Sequence, residues 1–177
     1  MSDSFYYLAY GSNLHPLRLS ERVGPLESLG KVGLPGWRLC FDKRGSDGSA
    51  KANLRAAPGS DHLAWGALFR LDRSQYRVLD GFEGCGRGYE TFWLDLPFDG
   101  REIEVLTYLT PSHWRLTRGV PHDWYRELVH LGARYHGFPE SVQQAIAAVP
   151  AARDPDPERA ETHWRLIERL EQQPLSS

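Results

Sequence analysis

Apolar positions recur mostly at the two-residue spacing of strands in the first part of the chain and at helical spacing in the last part. Phe5-Tyr6-Tyr7-Leu8-Ala9 predicts a buried first strand, closed by the turn-forming cluster Tyr10-Gly11-Ser12-Asn13. Pro16 suits the first turn of a short helix through Arg22. Trp37, Leu39 and Phe41 alternate with polar neighbours and predict a strand, and Gly45 to Ser49 reads as a polar loop. Leu63, Trp65, Ala67 and Phe69 alternate in a strand running from Leu63 to Leu71. Asp72 then caps a helix from about Arg73 to Phe82.

The run Gly84-Cys85-Gly86-Arg87-Gly88 breaks the chain. Tyr89–Phe98 and Arg101–Leu109 follow as strands joined at Asp99-Gly100, a hairpin signal because tight primed turns need positive φ. From His122 to Tyr135, Trp124, Tyr125, Leu128, Val129 and Leu131 fall at helical spacing. Gly137 ends this helix and Pro139 opens another to Ala148. A proline-rich connector from Pro150 to Pro157 leads to an amphipathic helix at 158–172, with Ala160, Trp164, Ile167 and Leu170 on one stripe. Strands first and helices mostly last predict an α+β class with a mixed or antiparallel sheet.

At 177 residues, with 41% hydrophobic and 25% charged positions, the chain is expected to fold as one domain with one core. A net charge of −2 and a pI near 6.4 argue against a nucleic-acid binder working by bulk electrostatics. No uncharged apolar run approaches the roughly 20 residues of a membrane span. Met1-Ser2-Asp3-Ser4 lacks the basic start of a signal peptide. Cys40 and Cys85 form no C-x-x-C pair and read as reduced thiols of a cytoplasmic protein, a single disulfide between them being the alternative.

Two segments carry candidate chemistry. In Tyr10-Gly11-Ser12-Asn13-Leu14, a glycine at the end of a buried strand lets backbone N–H groups approach a ligand. With a helix start just beyond, the segment suits an anion such as a carboxylate. The plain alternative is an ordinary strand-to-helix turn. In Leu79-Asp80-Gly81-Phe82-Glu83-Gly84, two carboxylates end an apolar helix, where they oppose the macrodipole. A carboxylate with apolar neighbours such as Phe82 can act as base or acid near neutral pH. The alternative is solvated charge at a helix end. Gly84-x-Gly86-x-Gly88 is not a dinucleotide fingerprint, no G-x-S-x-G elbow occurs, and no histidine or cysteine spacing predicts a metal.

Tyr7-Leu8-Ala9-Tyr10-Gly11-Ser12-Asn13-Leu14 resembles the signature of the γ-glutamylcyclotransferase superfamily. Trp65-Gly66-Ala67-Leu68-Phe69, the acidic segment Leu79–Gly84 and Tyr108-Leu109-Thr110 follow in family order. Pro121–Tyr125 and Gly132–Pro139 are similar to its helical half, and the resemblance runs from about Tyr6 to Val149. It implies a small mixed β-barrel-like sheet flanked by helices, often as a homodimer. It also implies cofactor-free release of an amino acid from a γ-glutamyl amino acid, with 5-oxoproline as the other product. By motif, Glu83 matches the acid/base glutamate. Tyr10, Gly11, Ser12, Asn13 and Leu14 match the loop holding the γ-glutamyl moiety, and Tyr89, Tyr108 and Tyr125 match tyrosines of its pocket. A γ-glutamylamine cyclotransferase and a non-catalytic binding module on the same fold are the alternatives.

Overall fold

The computed structural model describes residues 3–174, so Met1 and Ser2 of the N-terminal reading lie outside the described residues. Seven strands and five α-helices follow in order: β1 (Ser4–Ala9), α1 (Pro16–Val23), β2 (Glu27–Pro35), β3 (Trp37–Arg44), β4 (Ala50–Ala56), β5 (Leu63–Asp72), α2 (Tyr76–Glu83), β6 (Glu90–Phe98), β7 (Arg101–Leu109), α3 (Asp123–Tyr135), α4 (Glu140–Ala147) and α5 (Pro157–Glu171). The α+β class holds, with a curled mixed sheet flanked by helices.

The main sheet runs β2-β5-β1-β7-β6, and β3 and β4 form a separate hairpin. Strand β1 pairs antiparallel with β5 and parallel with β7. Leu8, Leu68 and Leu106 on these three strands are no more than 1% exposed. Burial of each contributes roughly 1.5–3 kcal/mol. The parallel pairing puts the carboxyl ends of β1 and β7 at one edge, where the Tyr10–Leu14 loop begins.

The expected alternation in β5 is not its burial pattern. Ala67, Leu68 and Phe69 are all fully buried. The strand lies between β2 and β1 and is covered on both faces, which erases the two-residue period. The Asp99-Gly100 turn has φ of 50° and 73°, as a primed hairpin requires.

Helix α2 starts later than the sequence suggests, after a 3₁₀ turn at Arg73–Gln75. The backbone N–H of Asp72 donates to Gln75 Oε1 at 2.7 Å. The helix ends on Glu83, with Gly84 in the left-handed conformation at φ 65°. Helix α3 buries Trp124, Tyr125, Leu128, Val129 and Leu131, the predicted face. In α5, Ile167 and Leu170 are buried as expected, but Trp164 is 38% exposed. Its place on the stripe is taken by His163, whose ring stacks on Trp124 at 3.7 Å between centroids. Residues 163 and 164 are alternative fits to the same helical period.

The β3–β4 hairpin is tied to the chain beyond β7. Asn53 Oδ1 accepts from the Thr110 N–H at 3.1 Å, and the Leu116 N–H donates to the Asp42 carbonyl at 2.6 Å. This leaves a cleft between the hairpin, the end of β1 and the last turn of α2. Among the described residues, no helix is long and apolar enough to cross a membrane. Cys40 is half-buried and Cys85 exposed, and both are free thiols.

Candidate active site

A cavity of about 420 Å³ opens in that cleft. The β1–α1 loop supplies Tyr10, Gly11, Ser12 and Asn13, the end of α2 supplies Glu83, and Tyr89, Tyr108 and Tyr125 complete the wall. Eight of the nine residues singled out in the sequence therefore meet in one place. Leu14 does not line the cavity. Its side chain is fully buried, and a Cβ on Gly132 of α3 would lie 2.3 Å from the Leu14 Cβ. Its N–H donates to the Gly11 carbonyl at 3.1 Å and its carbonyl accepts from His136 Nε2 at 2.7 Å. Leu14 anchors the loop to the helical layer.

Glu83 Oε1 accepts from Tyr7 OH at 2.9 Å and from Asn13 Nδ2 at 2.6 Å. Arg22 Nη1 donates to Asn13 Oδ1 at 2.8 Å, which orients the amide with its N–H toward Glu83. The carboxylate is thus held by two donors from the first strand and the loop after it, while α2 brings it in. Burial pushes the Glu83 carboxyl above the ordinary carboxylate range, against the opposing effect of Tyr7, Arg22 and Asn13. Phe82, the apolar neighbour expected from the sequence, lines the same cavity but is 52% exposed. The Tyr7 ring, whose hydroxyl donates to Glu83, stacks on Phe69 at 6.5 Å between centroids.

The neighbouring Asp80 accepts from Tyr108 OH at 2.5 Å and is not part of the cavity wall. Asp80 and Glu83, three apart, are neighbours on the helix surface, yet only Glu83 lines the cavity.

The tyrosine hydroxyls are committed to protein partners. Tyr10 OH donates to the Tyr108 carbonyl, and Tyr89 OH donates to the Ala52 carbonyl. Tyr125 OH accepts from the Ala52 N–H at 3.1 Å. Tyr89 and Tyr125 therefore clasp β4 and fix the hairpin over the cavity. Burial raises all of these phenols above their ordinary pKa, so they remain protonated at neutral pH.

Gly11 is not at positive φ. A Cβ there would lie 3.0 Å from Ala52 Cβ and 3.4 Å from Tyr125 OH. Close approach to β4 and α3 explains the glycine, rather than backbone strain. Sequence reasoning missed Tyr7, Arg18, Arg22, Lys43, Lys51, Trp124 and His163, all of which line the cavity. Tyr7 was within reach of the two-residue period, because it lies one strand step from Ala9 on the buried face.

Among the described residues, no group of three or more His, Cys, Asp and Glu is arranged to hold a metal ion. The gamma-glutamyl cyclotransferase, AIG2-like family matches residues 7–127, which include Glu83 and the whole loop. Gamma-glutamylcyclotransferases of Mus musculus and Homo sapiens are each 26% identical over 154 residues, covering 83% of this chain and 79% of theirs. A solved gamma-glutamyl cyclotransferase superposes with a TM-score of 0.80 at 23% identity, over 94% of this chain and 99% of that one. An uncharacterized protein from Homo sapiens gives 0.79 at 24% identity with the same coverage, and these two likenesses establish the fold. With the family match spanning well over half its length, the chain belongs to the gamma-glutamyl cyclotransferase, AIG2-like family.

Proposed function

We propose that this chain, acting as one domain, is a γ-glutamylcyclotransferase with Glu83 as its acid/base residue and a γ-glutamyl amino acid as substrate. The observation that carries the reading is the Glu83 carboxylate, held by Tyr7 and Asn13 against a cavity walled by Gly11 to Asn13.

The substrate's α-amine is protonated at neutral pH and tethered to the γ-carbonyl by a flexible chain. Glu83 takes one proton from the ammonium. The freed amine attacks the γ-carbonyl carbon, forming the lactam C–N bond and a tetrahedral oxyanion. The scissile C–N bond then breaks as protonated Glu83 gives its proton to the leaving nitrogen, and Glu83 next takes the second proton from the ring nitrogen and passes it to the released amine, which departs as an ammonium. The products are 5-oxoproline and a free amino acid, and Glu83 ends as it began.

A carboxyl raised by burial is suited to both halves of this exchange. Glu83 Oε2 accepts no hydrogen bond from the described residues, which leaves it to face the substrate. The loop and the tyrosine wall fold the γ-glutamyl chain so that amine and carbonyl meet. Such positioning supplies up to about 7–11 kcal/mol in favourable cases. The N–H groups of Gly11 to Asn13 face either the α-carboxylate or the oxyanion. The same reading carries a cytoplasmic setting with reduced thiols, and a homodimer as in other members.

The test is 5-oxoproline release from a panel of γ-glutamyl amino acids, γ-glutamyl amines and glutathione, with and without chelator. Product from a γ-glutamyl amino acid, unaffected by EDTA, is the expected result. Product from none of the panel would replace the enzyme by a binding module.

A further inference from the structure

The cavity wall carries more positive charge than the acid/base step uses. Lys51 Nζ pairs with Asp47 Oδ2 at 2.7 Å, and Arg159 pairs with Asp154. Arg22 donates to Asn13 and its guanidinium lies 5.3 Å from the Phe82 ring. Two cations remain. Arg18, on the first turn of α1, is 5% exposed, and its Nε is fully buried without a hydrogen-bond partner. No carboxylate lies within ion-pair distance of its guanidinium among the described residues. Lys43, near the end of β3, is 9% exposed and likewise has no carboxylate partner. Its ammonium lies 4.7 Å from the Tyr89 ring.

The chain makes room for Lys43. Gly88 sits at φ 118°, and a Cβ there would come within 2.7 Å of Lys43 Cε. Burial lowers the pKa of both cations, that of Arg18 to about 9 with Arg22 repulsion adding. A buried cation without an anion destabilises the fold, and the cost is relieved when an anion enters. Of the cavity's own carboxylates, Asp47 pairs with Lys51 and Glu83 is held through Oε1 by Tyr7 and Asn13, and among the described residues neither lies within ion-pair distance of Arg18 or Lys43. A ligand anion within reach of these cations would supply the ion pair that the chain does not. A γ-glutamyl amino acid has two carboxylates, one on the glutamyl α-carbon and one on the leaving amino acid. A γ-glutamyl amine has only the first.

We propose that Arg18 and Lys43 are the receptors for these two carboxylates, one each, and that together they set a preference for γ-glutamyl amino acids over γ-glutamyl amines. The proposal rests on the cyclotransferase reading above. Arg18 and Lys43 act as specificity residues and take no part in proton transfer.

Three substrates separate the possibilities: γ-glutamyl-alanine with both carboxylates, γ-glutamyl-ethylamide without the leaving-group carboxylate, and 4-aminobutyryl-alanine without the α-carboxylate. Release of alanine or ethylamine gives kcat/KM for wild type, Arg18→Met and Lys43→Met. Wild type is expected to favour γ-glutamyl-alanine over each truncated substrate by about 10–100-fold, the worth of a charge-assisted hydrogen bond. One variant should lose its discrimination against the ethylamide and the other its discrimination against the aminobutyryl compound. Arg18→Met should also melt no lower than wild type, because it removes an unpaired buried charge, whereas loss of a structural arginine would lower the melting temperature. Variants that keep both wild-type ratios would overturn the proposal. So would a wild type that uses γ-glutamyl-alanine and the ethylamide equally well, a result that needs no variant to fold. A wild type that releases 5-oxoproline from neither γ-glutamyl compound would remove the cyclotransferase reading and the proposal with it.

Discussion

Replacing Glu83 by Gln isolates the proposed proton transfer from the other contacts of the residue. The side chain keeps its length, and the amide oxygen can still accept from Tyr7 OH and Asn13 Nδ2 in the place of Oε1. The new NH₂ takes the position of Oε2, which accepts from no described residue. Burial is the leading reason the Glu83 carboxyl is raised, so its charge works against folding. A neutral isostere should therefore leave stability within about 1 kcal/mol of wild type, or slightly higher. Turnover should fall by about 10²–10⁴-fold, the usual contribution of a general base, or roughly 2.7–5.4 kcal/mol of transition-state stabilisation. The assay is steady-state 5-oxoproline release from γ-glutamyl-alanine, with a thermal melt and a binding measurement on the same protein. Wild-type kcat/KM should rise with pH through a pKa above the ordinary glutamate value of about 4.3, as the base form appears, and the variant should lack this limb. Asp80→Asn should cost much less, because Asp80 is engaged by Tyr108 and lies outside the cavity wall. Near-normal turnover in Glu83→Gln would refute the mechanism, and the reverse ranking would move the base to Asp80.

Gly11→Val should act on both folding and binding. Even the first added carbon would sit 3.0 Å from Ala52 Cβ and 3.4 Å from Tyr125 OH, and overpacking of this kind costs about 1–3 kcal/mol. A melt together with KM for γ-glutamyl-alanine checks this: a lower melting temperature with unchanged KM would make Gly11 a packing residue only. Stability should decline as pH falls from about 6.5 to about 4. Burial lowers His15 and His163 to about 4, so across that window the unfolded chain binds protons that the folded one does not. The fully buried His15 alone contributes up to about 3 kcal/mol. Denaturant melts at pH 7 and pH 4.5 measure the slope, which His15→Gln should flatten. An unchanged slope in that variant would show that His15 titrates as freely in the fold as outside it.

Local signals were legible where the chain punctuates itself. Asp99-Gly100, Pro16 and the Gly84 cluster each marked a boundary that the structure keeps, because turns and helix ends depend on a few adjacent residues. Strands β2 and β4 had no such mark. Strand β2 carries Gly30 at φ 98° beside a register shift, which breaks its alternation. Strand β4 packs with Ala50 and Ala52, too small to stand out as a hydrophobic period, yet Ala52 must be small for Gly11 and Tyr125 to approach.

The site divides in the same way. Glu83 and the Tyr10–Asn13 loop stand in compact motifs, so order along the chain was enough to join them. Arg18 and Lys43 look like solvated charges on a short amphipathic helix and at a strand end. Only the folded chain shows that α1 turns Arg18 inward and that Gly88 opens space for Lys43. A sequence period reports which positions are apolar, and so it passes over a buried cation. The proposed acid/base residue can therefore be read from a motif, while the proposed discrimination among substrates rests on residues whose burial contradicts their type.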